Sequence, residues 1–171
     1  MKIQKYVAEL LGTFVLTFAV FLSVTSGLPL ATPLIAGLTL GLFVYTLGGV
    51  SGAHLNPAVT IGMASVRKLS VKDAVVYIIF QVVGALLAML VVKNLTGSET
   101  GLIAVDNLKV GVAEAIGAFM LAFGVAAVTY KKVDDDASGL VVGGSLALGV
   151  MLASTLSNGV ANPAVAIGIG S

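Results

Sequence analysis

Ser51-Gly52-Ala53-His54-Leu55-Asn56-Pro57-Ala58-Val59-Thr60-Ile61-Gly62 returns 106 residues later as Ser157-Asn158-Gly159-Val160-Ala161-Asn162-Pro163-Ala164-Val165-Ala166-Ile167-Gly168. Seven of the twelve positions are identical, including the whole Asn-Pro-Ala-Val run. Asn is a favoured helix N-cap. Pro suits the first helical turn, where its missing N–H is not needed. Each copy therefore predicts the start of a short helix. One such Asn-Pro would be read as a turn signal. Two copies at matching places in a very apolar chain predict paired half-helices that meet inside a membrane and frame a pore.

Hydrophobic residues make up 58% of the 171 and charged residues 10%; the mean hydropathy is +1.10. Soluble domains carry about 25% charged residues. A bilayer core needs roughly 20 mostly apolar residues per helical span. Five such stretches are present, near 7–26, 33–50, 74–92, 110–129 and 140–156. The segments after the two Asn-Pro-Ala motifs are too short to span. The first stretch has some features of a signal peptide: Lys2, Lys5, an apolar run, then small residues. Against that, Ala8-Glu9-x-x-Gly12-x-Phe14 recurs as Ala113-Glu114-x-x-Gly117-x-Phe119, which a disposable leader has no reason to do.

If the spans alternate, Lys2, Lys5, Arg67, Lys68, Lys72, Lys131 and Lys132 fall on one side, and Lys93 and Lys109 on the other. This bias places the N-terminus in the cytoplasm of a multi-pass cell-membrane protein. The net charge of +1, with no basic patch interleaved with aromatics, gives no sign of nucleic-acid binding. The absence of Cys excludes disulfides, thiolate chemistry and Cys-based metal sites. The acidic run Asp134-Asp135-Asp136 reads as a solvated loop.

The repeat extends beyond the motif. Gly37-x-x-Leu40 matches Gly143-x-x-Leu146, and the Glu9 helix matches the Glu114 helix. Each half runs span, span, half-helix, span. Three spans is an odd number, so the second half enters the membrane inverted. Such folds place their site at the repeat interface near the midplane. The expected organisation is a first repeat over 1–93, an extracellular linker over 94–109 and a second repeat over 110–171. Only nine residues follow Asn162. The partner of the third span, about 178–198 by the offset, is therefore expected to be absent. A groove is expected in its place, beside the first and third spans. Small-residue pairs at i, i+4, such as Ala8/Gly12, Gly37/Gly41, Ala113/Gly117 and Gly139/Gly143, permit close helix crossing.

Non-helical backbone at membrane depth is tolerated only where protein buries it or it lines a watery cavity. Gly52, Ala53, His54 and Leu55, and Asn158, Gly159, Val160 and Ala161, form two such segments. Their carbonyls and the Asn56 and Asn162 amides are candidate lumen groups. Each half-helix N-terminus adds about half an elementary positive charge, which repels cations and orients water by its oxygen.

These residues resemble the aquaporin family, also called the major intrinsic proteins. The resemblance rests on the Ala-Glu-x-x-Gly-Thr-Phe of the first span, the Ser51–Gly62 run, Gln81-x-x-Gly84-Ala85, and the second Asn-Pro-Ala. It covers essentially the whole chain. It implies an all-α membrane protein with six spans and two re-entrant half-helices, the sixth transmembrane helix being absent from this chain. It also implies a homotetramer in lipid with one pore per subunit and no cofactor. The pore motifs would be Asn56, Pro57, Ala58, Asn162, Pro163 and Ala164.

Carboxylates at membrane depth are costly and belong inside the protein. Glu9 and Glu114 fit either a proton relay or, as the resemblance favours, acceptors for the N–H groups of the re-entrant loops. His54 would lie at the cytoplasmic end of the pore, or simply pack. Family members usually place Arg after the second Asn-Pro-Ala, where this chain has Val165. Aquaglyceroporins usually follow that Arg with Asp, where this chain has Ala166. The remaining filter positions fall at Ala36, Val150 and Gly159. The implied filter is small, apolar and uncharged: wide enough for water and small neutral solutes rather than water alone.

The function expected is a passive channel for water and small uncharged solutes. Two rivals stay open: an ion-coupled secondary transporter built on the same inverted repeat, and a non-conducting membrane scaffold. An enzyme is not expected. The sequence has no nucleophile–base–acid set, metal-ligand spacing or phosphate-cradling Gly loop.

Overall fold

The computed structural model describes residues 2–98 and 107–171. Among these, seven α-helices and one 3₁₀ turn are formed, without strands: α1 Lys2–Thr25, α2 Thr32–Ser51, α3 Pro57–Ser65, α4 Val71–Thr96, α5 Leu108–Thr129, a turn at Asp135–Ala137, α6 Ser138–Ala153 and α7 Pro163–Ile169. Five of the helices are long and apolar enough to cross a membrane. The other two, α3 and α7, are the short helices that follow the repeated motifs.

Helix ends follow local chemistry. Ser70 caps α4 by accepting from Asp73 N, and Gly97 ends it in the left-handed conformation at φ 64. These caps carry α4 beyond the 74–92 read from hydropathy, because its first and last turns are polar. Asn107 caps α5 by accepting from Lys109 N at 2.9 Å. Residues 99–106, half of the linker expected at 94–109, lie outside the described residues.

Backbone contact across glycines holds the long helices together. A Cβ on Gly41 would stand 2.7 Å from Gly139 O, and one on Gly37 2.5 Å from Gly143 O. This is the α2–α6 seam, and the i, i+4 glycine pairs anticipated it. Gly117 meets Gly149 O in the α5–α6 crossing, and Gly84 meets Leu10 O and Phe14 N in the α1–α4 crossing. At the lysine-rich end, Tyr6 Oη donates to Asp73 at 2.7 Å, and Lys5 pairs with the same carboxylate at 2.9 Å. At that end too, Tyr45 Oη donates to Asp136 O and accepts from Leu140 N, closing the α2–α6 seam.

The open apolar groove is not where the sequence put it. It was expected beside the first and third spans, but α1 and α4 pack directly against each other. The uncovered face runs along α5 instead, where Ala115, Ala118, Phe119 and Ala122 border a groove shared with Ala58 and Val59 of α3. Internal symmetry explains the error. The repeat maps α1 onto α5, so the face that α4 covers on α1 has its equivalent on α5.

Two neighbouring glycines of α6 provide a test of the seam. A Cβ on Gly143 would strike Gly37 O and lie 3.1 Å from Gly41 N, whereas one on Gly144 meets nothing within 4 Å. Gly143→Ala is expected to destabilise the detergent-solubilised protein by roughly 1–3 kcal/mol, the usual cost of overpacking. Gly144→Ala should be neutral or stabilising by up to about 1 kcal/mol. Paired thermal melts check the contrast, and equal midpoints would show that the seam does not depend on close backbone approach.

Candidate functional site

The segments between α2 and α3, and between α6 and α7, leave helical geometry in the same way. Ala53 has φ 48 and Leu55 φ 48; their counterparts Gly159 and Ala161 have φ 63 and φ 50. Left-handed conformations at non-glycine residues persist only where surroundings impose them. Here the surroundings are carboxylates. Glu9 Oε1 accepts from His54 N at 3.0 Å and Ser51 Oγ at 2.6 Å, while Oε2 accepts from Leu55 N at 2.7 Å and Gln81 Nε2 at 2.8 Å. Glu114 Oε1 accepts from Val160 N at 3.1 Å and Ser157 Oγ at 2.7 Å, and Oε2 from Ala161 N at 2.7 Å. The serine that opens each copy of the motif braces its loop in turn: Ser51 Oγ accepts from Ala53 N, and Ser157 Oγ from Gly159 N.

The two motifs meet through a reciprocal pair of bonds. Asn56 Oδ1 caps α3 by accepting from Ala58 N, while its Nδ2 donates to Ala161 O at 3.0 Å. Asn162 Oδ1 caps α7 by accepting from Ala164 N at 3.1 Å, while its Nδ2 donates to Leu55 O at 2.9 Å. Each amide therefore uses its oxygen on its own helix and one N–H on the opposite loop. Each keeps a second N–H, since an amide nitrogen carries two. Both asparagines are buried.

Two cavities lie toward opposite ends of the bundle. One, of about 270 Å³, is bordered by Ala36, Val150, Gly159 and Val165, together with Asn158, Val160 and Asn162. All four residues expected to form a filter are thus brought to one space, and among the described residues no charged side chain borders it. The other, of about 460 Å³, lies at the lysine-rich end and is bordered by Gly52, Ala53, His54 and Val59, with Lys131 and Asp135 at its rim.

Other loop residues sit differently from the expectation. Leu55 is fully buried, its side chain against Gly12 and its carbonyl on Asn162. The Ala161 carbonyl is taken by Asn56. Ala58 and Pro163 border the groove along α5, and Ala164 is buried. Sequence reasoning assigned no role to Ser51, Ser157, Thr60, Gln81 or Ser154. The two serines carried a usable signal, since they are identical in both copies. Among the described residues no group of three or more His, Cys, Asp or Glu side chains is placed to hold a metal.

A family model described as Major intrinsic protein matches residues 1–170. Glycerol uptake facilitator protein-like 6 of Lactiplantibacillus plantarum is 37% identical over 177 residues, covering 96% of this chain and 82% of that protein. Aquaporin NIP1-2 of Arabidopsis thaliana is 35% identical, covering 97% of this chain. The chain spans 63% of that relative's length and 66% of Nodulin-26 of Glycine max, which is 33% identical. The fold resembles the X-ray structure of the aquaglyceroporin from Plasmodium falciparum, with a TM-score of 0.69 at 23% identity over 99% of this chain and 80% of that one.

The two carboxylates differ in surroundings. Glu9 is fully buried and has the additional donor Gln81, whereas Glu114 is half-buried and borders the open groove. Removing a buried acceptor costs about 1–3 kcal/mol for each donor left without a partner. Glu9→Leu orphans four donors and is expected to cost roughly 3 kcal/mol or more. Glu114→Leu should cost less, because its donors lie beside an open groove. Thermal melts of both variants in detergent compare them, and a larger loss at Glu114 would contradict this account.

Proposed function

The chain belongs to the major intrinsic protein family, and we propose that it is a passive transmembrane channel for water and small neutral solutes. The observation that carries this reading is the reciprocal Asn56–Ala161 and Asn162–Leu55 pair, with a cavity on either side of it. On this reading the Asn56 and Asn162 amides form the constriction, and Pro57, Ala58, Pro163 and Ala164 are the helix turns that carry them. Ala36, Val150, Gly159 and Val165 form the filter at the other end from the lysines. Gly52, Ala53, His54, Asn158 and Val160 supply the polar wall. Pore selectivity follows from diameter, lining donors and acceptors, and electrostatic barriers. Small uncharged side chains at the filter leave room for small neutral solutes as well as water. The name of the relative from Lactiplantibacillus plantarum, a glycerol uptake facilitator, agrees with that class.

The carboxylates support a channel over an ion-coupled transporter, since both are occupied in holding loops. The protein performs no chemistry on its solutes. It acts as a homotetramer in the cell membrane, with the lysine-rich end and the N-terminus in the cytoplasm.

Stopped-flow light scattering on proteoliposomes tests this. The wild type should pass water and glycerol faster than empty liposomes do. Val165→Arg narrows the ring and adds a fixed charge. It should lower glycerol flux by roughly tenfold, the effect of about 1.4 kcal/mol on a barrier, and water flux by less. A wild type that passes water alone, or equal glycerol flux in both proteins, would mean that this ring is not the filter. A wild type no faster than empty liposomes would remove the channel reading itself.

A further inference from the structure

Behind the first re-entrant loop a chain of polar contacts runs from Glu9 through Gln81 and Thr60 to His54, and it ends at a cavity. Gln81 Nε2 donates to Glu9 Oε2 at 2.8 Å and to Thr60 Oγ1 at 2.9 Å. Its orientation is set by the carboxylate, whose oxygens already accept from the His54 and Leu55 N–H groups. Turning the amide over would bring two acceptors face to face. Gln81 Oε1 is left buried without a partner as a result, and both amide protons are spent.

Thr60 Oγ1 accepts one of those protons. It lies 2.9 Å from Asn56 O and 3.2 Å from His54 Nδ1. The hydroxyl has one proton for these two neighbours. O–H···O bonds run about 2.5–3.0 Å and N–H···O bonds about 2.7–3.2 Å. The distances assign the hydroxyl proton to Asn56 O and make His54 Nδ1 the donor to Thr60.

We propose that Thr60 is a positioning residue that holds His54 as its Nδ1–H tautomer, so that the bare Nε2 lone pair serves the cavity at the lysine-rich end as a hydrogen-bond acceptor. His54 borders that cavity with Gly52 and Ala53. A Cβ on Gly52 would stand 3.2 Å from Nε2, so glycine keeps the approach to this nitrogen open. A neutral acceptor there takes a hydrogen bond from an O–H or N–H of a solute such as water, a polyol or an amide. The second loop has no such device, because Val160 and Ala166 occupy the positions of His54 and Thr60. The inference rests on the channel reading only in calling the cavity a passage.

The chain holds one His, so ¹⁵N-histidine labelling gives a single imidazole. Solid-state NMR of the whole protein in bilayers at neutral pH identifies the protonated ring nitrogen by its coupling to hydrogen. The wild type is expected to show protonated Nδ1 and bare Nε2. Thr60→Val should lose this order, with the Nε2–H tautomer appearing, and Thr60→Ser should restore the wild-type spectrum. An Nε2–H or doubly protonated ring in the wild type, or an unchanged spectrum in Thr60→Val, would overturn the proposal. If Thr60→Val does not fold, the wild-type spectrum decides alone. Absent flux alongside an Nδ1–H ring would count against the channel and leave the assignment standing.

Discussion

Backbone N–H groups that leave a helix inside an apolar bundle must be satisfied by the protein itself. In each half of this chain one glutamate meets that demand. Glu9 and Glu114 each accept from two consecutive N–H groups of a re-entrant loop and from the serine that opens it. The loops hold Ala53, Leu55 and Ala161 at positive φ, at a cost on the order of 1–3 kcal/mol each. A hydrogen bond to a charged group contributes about 1.5–3 kcal/mol. The two magnitudes are comparable, so several bonds on one carboxylate are needed to hold each loop. With the loop fixed, the carbonyls of Leu55 and Ala161 stand where the opposite asparagine reaches them. The meeting of the halves follows from the carboxylates rather than from the asparagines alone.

The halves repeat each other in backbone and differ in what surrounds it. α1 is covered by α4, so Glu9 is sealed and gains Gln81 as a fourth donor. α5 keeps an open face, so Glu114 borders a groove. The same asymmetry appears beside the motifs. In the first half Thr60 and His54 extend the polar network to a cavity; in the second, Ala166 and Val160 end it. Inverted repetition fixes the frame, and substitutions at equivalent positions give its two ends different chemistry.

Much of this was legible in the sequence because the repeat constrains it doubly. The matching Asn-Pro-Ala-Val runs located both half-helices, and the matched glutamates pointed to the loops whose N–H groups they accept from. The four residues Ala36, Val150, Gly159 and Val165, far apart in the chain and named only by the family resemblance, border one cavity. What the sequence hid depends on orientation. Leu55 and Ala161 look like lumen residues by position, yet the backbone twist turns their carbonyls to the opposite asparagines and buries the Leu55 side chain under Gly12. Gln81 and Thr60 are separated by 21 residues, and it is the packing of α4 against both α3 and α1 that brings them into one network with Glu9. The groove was misplaced because a repeat offset says which helix has a counterpart, not which neighbour that counterpart covers.

The width at the uncharged ring is set by backbone as much as by side chains. A Cβ on Gly159 would strike Ser154 Oγ and lie 2.7 Å from Val150 O, at a residue whose φ is 63. That position is closed to anything larger. Ser154 is itself held, since its hydroxyl and its N–H both donate to Val150 O. Bulk or charge can therefore enter the ring only at Ala36, Val150 or Val165. Ala36 lies on the buried side of α2, whose glycines are in backbone contact with α6, so a larger side chain there presses on that seam. Val150 supplies the carbonyl that holds Ser154. Val165 lies in the first turn of α7, where Asn162 Oδ1 accepts from its N–H, and its side chain borders the cavity. Of the three, it is the position where a new side chain would change the opening with least disturbance to the helices that frame it.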